Sequence, residues 1–234
     1  PARFRAKSGI QGPFVIYVGR IDENKGCKEL FSYFLQYVRS GGSTLSLVMV
    51  GKSLLPIPDH PQVKHLGFLP DAEKFDALAA AEARIMPSYF ESLSMVALEA
   101  WALGVPVLAN GRCEVLRGQC VRSNAGLYYE THEEFADALA VLEHHRGIRE
   151  GLGRNGRRYF RQHYTWPVIG RKYEDMLDLL RRQETSGRVA PVMEPLPGWM
   201  ARRKRDIPAA AEVLASLPFG PVLDSDQSDR SPSK

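Results

Sequence analysis

Short apolar runs, separated by longer stretches with a helical period, constrain this chain more than any other feature of it. FVIYVG at 14–19, LSLVMVG at 45–51, VKHLGF at 63–68, RIMPS at 84–88 and PVLAN at 106–110 read as strands. Most of these runs are apolar throughout rather than alternating, so both faces of the sheet they form must be covered. Helical patterns at 26–40, 71–83 and 94–103 supply the cover. The expectation is a Rossmann-like α/β fold: a doubly wound parallel sheet that binds its ligand at the carboxyl ends of the strands.

After AGLYY (125–129) come three further helical patterns, at about 131–145, 147–163 and 167–182. From residue 185 the composition changes: much of the proline lies there, with the basic run ARRKR at 201–205 and the polar end SDQSDRSPSK. One short helix near PAAAEVLASL and an otherwise extended or disordered tail are expected, giving a folded domain at 1–184 and a tail at 185–234. A chain of 234 residues with 44% apolar content suits one core domain plus an extension. A net charge of +4 does not argue for nucleic acid; it suits an anionic small molecule or peripheral contact with an anionic membrane. Three cysteines without a CxxC pair point to a reducing compartment. The opening PARFRAKSGIQG lacks the apolar block of a leader, and no apolar run reaches the ~18 residues of a membrane span, so a cytoplasmic location is expected, with the inner membrane face left open.

Two stretches carry candidate chemistry. YVGRIDENKG, 17–26, follows the first strand; Gly19 lets backbone approach a ligand, and Arg20 and Lys25 lie at the edge where such sheets bind anions. A planar guanidinium and a mobile ammonium together suit a diphosphate. The competing reading is a solvated loop with two surface cations. SYFESLSMVALEAWALGVPVLAN, 88–110, places Glu91 before a helix and Glu99 inside it. That helix is apolar on nearly every face, so Glu99 has little polar surface to share, and an unpaired carboxylate there costs several kcal/mol. A partner is required, from the protein or from a ligand. The helix start offers the free amides of Met95 and Val96 to an anion. A carboxylate beside that anion makes sense for Glu91 if it addresses a neutral, hydroxyl-rich group such as a sugar; the competing reading is a carboxylate on the helix dipole.

GR at 19–20 and KG at 25–26, together with PSYFESLSMVALEAWALGVPVLA, resemble the C-terminal, donor-binding domain of retaining glycosyltransferases of family 4, whose two-domain fold is called GT-B. The paired-glutamate spacing is that family's hallmark, and the resemblance covers roughly residues 12–182. It implies a hexosyltransferase in polysaccharide biosynthesis that takes a UDP- or GDP-sugar without a metal. Arg20 and Lys25 would hold the diphosphate and stabilise the leaving group, with Gly19 beside them. Glu91 would meet donor-sugar hydroxyls and count with Arg20 and Lys25 as catalytic. Backbone at Ser92, Leu93, Ser94, Met95 and Val96 would line sugar and phosphates, Glu99 would take the ribose hydroxyls, and Gly67 and Phe68 would lie against the base. The family is often glycine-rich between the glutamates, whereas this chain has Ser92-Leu93-Ser94. The acceptor and a histidine near the reacting carbon would come from an N-terminal partner domain, so this chain is expected to bind donor and turn over little alone. The alternative is a non-catalytic nucleotide- or partner-binding domain on the same sheet.

Remaining motifs carry bland readings. His132, His144, His145 and His163 lack metal-ligand company, so no metal site is expected. DSD at 224–226 lies in the tail, and ARRKR reads as solvated. GLGRNG at 151–156 resembles a dinucleotide fingerprint superficially, because it opens no helix after a strand.

Overall fold

The computed structural model describes residues 2–185. The tail readings, including the helix near PAAAEVLASL, ARRKR and DSD, fall outside the described residues. By its contacts the chain divides into two units, Pro1–Asp175 and Met176–Lys234, and the first holds the sheet and the candidate site. In order, the elements are α1 (Ala2–Ser8), β1 (Phe14–Val18), α2 (Cys27–Arg39), β2 (Ser46–Val50), β3 (Val63–His65), α3 (Asp71–Ala80) and β4 (Ala83–Met86). There follow α4 (Met95–Leu103), β5 (Val107–Asn110), α5 (Glu114–Ser123), β6 (Gly126–Tyr129), α6 (His132–His144), α7 (Arg146–His163) and α8 (Trp166–Thr185).

Six strands form one all-parallel sheet in the order β3-β2-β1-β4-β5-β6. The chain builds outward from β1 to β3, then returns to β1's other side and builds outward through β6. This doubly wound order leaves a crevice between the carboxyl ends of β1 and β4, where the two loops diverge. Side chains alternate across the sheet as the period of two requires. Val15, Tyr17, Leu47, Met49 and Ile85 join a core with Leu30, Phe34, Phe135 and Leu139 of α2 and α6. On the opposite face Phe14, Ile16, Val48 and Val50 pack with Phe4 of α1 and Ala77 and Leu78 of α3.

The sheet, its parallel strands and its central helices agree with the sequence reading, and four elements differ. VKHLGF pairs only over Val63–His65; Gly67 turns the chain at φ 67° and ends the strand. AGLYY supplies a sixth strand, since Gly126–Tyr129 pairs with all of β5. α1 and α5 carry no helical reading above. The inward face of α5 includes Gln119 and Ser123 beside Leu116 and Cys120, and these polar residues mask its period. No helix among the described residues is long and apolar enough to cross a membrane.

GLGRNG has a structural role. It lies inside α7, where a Cβ on Gly153 would stand 2.0 Å from the Gly104 carbonyl oxygen and one on Gly156 would stand 2.5 Å from the Trp101 ring. Two missing side chains thus let α7 sit directly on α4, the helix that bears Glu99. Gly153→Ala should cost about 1–3 kcal/mol by overpacking this contact. Gly147→Ala, at an open position of the same helix, should add roughly 0.5–1 kcal/mol through helix propensity. Urea unfolding of both variants checks the pair, and equal effects would contradict close packing at Gly153.

Candidate functional site

Two loops meet at the crevice, and glycines set their approach. Gly26 ends the β1 loop at φ 71°, and a Cβ there would lie 2.2 Å from the Pro87 carbonyl oxygen beyond β4. Only a residue without a side chain fits, so the segment that carries Lys25 is pressed against the segment that carries Glu91. Gly51, after β2, packs in the same way against the backbone of Gly19. The β1 loop is fastened internally by Asp22, which is buried and accepts from the Lys25 amide at 2.8 Å and from Arg20 Nε. Burial pushes the Asp22 carboxyl up, but the hydrogen bonds from Arg20 and the Lys25 amide, with both cations nearby, outweigh it and hold the group below its usual value.

Lys25 Nζ donates to Glu91 Oε1 at 2.8 Å. The Glu91 side chain is only 17% exposed, so the pair is largely shielded from screening by water. Around it lies a cavity of about 320 Å³. Gly19, Lys25, Glu91, Ser92, Leu93, Ser94, Met95 and Val96 all line it. Tyr17, Val18, Arg84, Met86 and Ser88 complete the wall. The first amides of α4 have no intrahelical partner, and Met95 and Val96 place them at this wall.

Four expected residues lie elsewhere. Arg20 turns away from the cavity wall, with its side chain 59% exposed and ion-paired to Asp22. Gly67 and Phe68 sit past β3; the Gly67 carbonyl accepts from the Gly51 amide at 2.7 Å, and the Phe68 ring stands open, 83% exposed. Glu99 faces α3 rather than solvent. Its Oε1 accepts from Lys74 Nζ at 3.0 Å, and Lys74 also reaches Asp71 at 3.1 Å. The hydrogen bonds that raise the Lys74 pKa outweigh the burial that lowers it, so this lysine stays charged. The sequence asked whether the partner of Glu99 comes from the protein or from a ligand. Lys74 answers for one oxygen, while Glu99 Oε2 is buried with no hydrogen-bond partner among the described residues.

Sequence reasoning missed Lys74, Asp22, Arg84 and Gln119. Gln119 of α5 donates to the Leu93 carbonyl and so holds the loop between the two glutamates. Asn110 of β5 does the same at the start of that loop, donating to the Pro87 carbonyl at 3.0 Å. A signal was available only for Arg84, a charged residue in an apolar strand. The three cysteines are buried, and burial pushes the Cys120 thiol up to about 12, which leaves it protonated and inert. No cluster of metal-ligating side chains occurs among the described residues.

Ser94 caps α4 from the left-handed region, at φ 60°, although it is not glycine. This is the position at which the expected glycine-rich segment reads SLS, so backbone strain is held here, of about 1–2 kcal/mol. Ser94→Gly should raise the unfolding free energy by about 1 kcal/mol, and no gain in urea unfolding would mean that the Ser94 side chain offsets its own strain. For Asp22, a carboxyl lowered on folding stabilises fully above its unfolded pKa, near 3.9, and that contribution is lost as pH falls through the folded value. Asp22→Asn should therefore lower stability at pH 7 and shrink the loss seen below about pH 4. An unchanged acid limb in thermal melts would contradict this.

Comparisons with known proteins bear on the family and the fold. The chain is 28% identical over 185 residues to the glycogen synthase of Thermus thermophilus, a match that covers 74% of this chain and 40% of that one. The chain thus spans less than half the length of the curated relatives it matches first. Sucrose-phosphate synthase from Thermosynechococcus elongatus superposes at a TM-score of 0.64 with 25% identity, covering 78% of this chain and 49% of that one. The Anabaena protein HepE, solved with UDP and glucose, superposes at 0.63 with 17% identity, covering 76% and 51%, and so shares the fold. The family model of glycosyl transferases group 1 matches residues 2–159, most of the described chain, and the protein belongs to that family, with a GT-B type α/β domain.

Proposed function

We propose that this domain binds the nucleotide-sugar donor of a retaining hexosyltransferase, a UDP- or GDP-sugar, for transfer to an acceptor held by an N-terminal domain. One observation carries the reading: the Lys25–Glu91 pair at the wall of a cavity that also receives the amino end of α4. A cation, a helix N-terminus and a carboxylate within one small cavity fit a ligand with an anionic half and a hydroxyl-rich half. HepE, which shares the fold, was solved with UDP and glucose, and this supports the choice of donor class.

In this reading Lys25 and the α4 amides take charge that develops on the departing diphosphate, an electrostatic role that needs no metal. Glu91 accepts hydrogen bonds from sugar hydroxyls, and its ion pair with Lys25 already fixes its rotamer. Glu99 faces the ribose, with Oε2 as the oxygen left to accept a hydroxyl. Arg20 would reach the diphosphate by leaving Asp22, a rearrangement open to an exposed side chain. The acceptor and its chemistry belong to the partner domain, so this donor-binding domain by itself is expected to hydrolyse or transfer little.

Calorimetric titration with UDP, GDP and ADP tests the donor class. Binding by UDP or GDP is expected, and no heat from any of the three at millimolar concentration would refute it. Glu91→Ala should leave nucleoside diphosphate affinity within about threefold while removing any gain from the attached sugar, a loss of roughly 1–3 kcal/mol for a charged hydrogen bond. Equal affinity of this variant and the parent for the nucleotide-sugar would favour a nucleotide-binding domain without transfer.

A further inference from the structure

Arg84 occupies the second position of β4, where a strand buried on both faces ordinarily carries an apolar side chain. It is 2% exposed. One hydrogen bond holds it: Nη2 donates to the Val18 carbonyl at 2.7 Å. Nε and Nη1 have no partner among the described residues. A guanidinium has five N–H donors and stays protonated, so leaving two nitrogens dry in a buried site is costly. Burial lowers its pKa to about 10, which still leaves it charged at neutral pH. Glu99 and Glu91 attract it through space, yet each spends its hydrogen bond on a lysine, Lys74 and Lys25 respectively.

The location gives this unspent charge a purpose. Arg84 lines the same 320 Å³ cavity as Lys25, Gly19 and the start of α4. Of the two cations expected to grip an anion there, Arg20 is turned onto Asp22 outside the wall and Lys25 is engaged by Glu91. Lys25 keeps two of its three donors for a ligand but meets water, whereas Arg84 has two unpartnered nitrogens and no water of its own to lose when a ligand arrives. Its desolvation is already a cost of folding, so an anion that reaches it gains a charge-assisted bond without paying that cost again.

We propose that Arg84 is an anion-binding residue of the donor site, and that its ligand is the diphosphate of the nucleotide, held between the guanidinium and the first amides of α4. The proposal rests on the donor-binding reading above and assigns the anion contact within it to a residue on the strand rather than in the loop. A sugar that bears a carboxylate offers the same anionic chemistry, so the test separates the two.

Titrate wild type, Arg84→Gln and Arg84→Lys with UDP, GDP, their parent nucleosides, inorganic pyrophosphate and a UDP-uronate. Arg84→Gln should weaken both nucleoside diphosphates and pyrophosphate tenfold or more, leave nucleoside binding unchanged, and be partly rescued in Arg84→Lys. Nucleoside diphosphate affinity within twofold of wild type in Arg84→Gln overturns the proposal, and a loss confined to the UDP-uronate overturns it in favour of the sugar carboxylate. Failure of wild type to bind any nucleotide would sink the donor reading, whereas pyrophosphate binding lost in Arg84→Gln would still establish the anion contact. If neither variant folds, melting of the wild type decides: pyrophosphate should raise Tm beyond sodium chloride of equal ionic strength, and no such rise overturns the assignment.

Discussion

The ion pair between Lys25 and Glu91 crosses the point where the winding order of the strands reverses, and the site is organised around it. Lys25 follows β1 and Glu91 follows β4, strands that are neighbours in space although 66 residues separate the two side chains. Contact at 2.8 Å is possible because Gly26 admits the Pro87 carbonyl where any side chain would collide. Asp22 then fixes the first loop from within, while Gln119 and Asn110 fix the second from α5 and β5. The geometry is thus held by backbone carbonyls and buried polar side chains rather than by a ligand. Preorganisation of this kind spends ordering entropy during folding instead of during binding.

The second glutamate follows the same logic on the other side of α4. An apolar helix gives Glu99 no polar neighbour, so α3 supplies Lys74, and the resulting pair leaves one carboxylate oxygen unmet. Arg84, below, has unmet donors of its own. Natural proteins rarely leave buried polar atoms without partners, and the two unpartnered nitrogens of Arg84 belong to a residue of the cavity wall.

How much of this was legible in the sequence depended on whether the signal was local. Apolar runs such as FVIYV and SLVMV fixed strand identity, because a parallel strand buried on both faces must read that way. The glutamates stood out because carboxylates are rare in an apolar helix. Their partners did not, since Lys74 lies 25 residues from Glu99 and nothing in DAEKFDALAA marks that lysine among other surface charges. α5 was hidden by polar residues on its buried face, where Gln119 serves the loop rather than the core. Ser94 shows the converse case: the expected glycine is absent but the left-handed backbone it serves is kept. The side-chain direction of Arg20 was beyond reach, because a loop cation has an acidic neighbour two residues away as readily as a ligand.

The family assignment and the fold stand on the match to glycosyl transferases group 1 and on the six parallel strands. What the crevice holds is best decided by a crystal structure of the chain soaked with a nucleoside diphosphate. The account predicts phosphorus density between Lys25 and the amides of Met95 and Val96, with the ribose turned toward Glu99. Density lodged away from this crevice, or an empty crevice in crystals soaked at concentrations that saturate binding in solution, would contradict it.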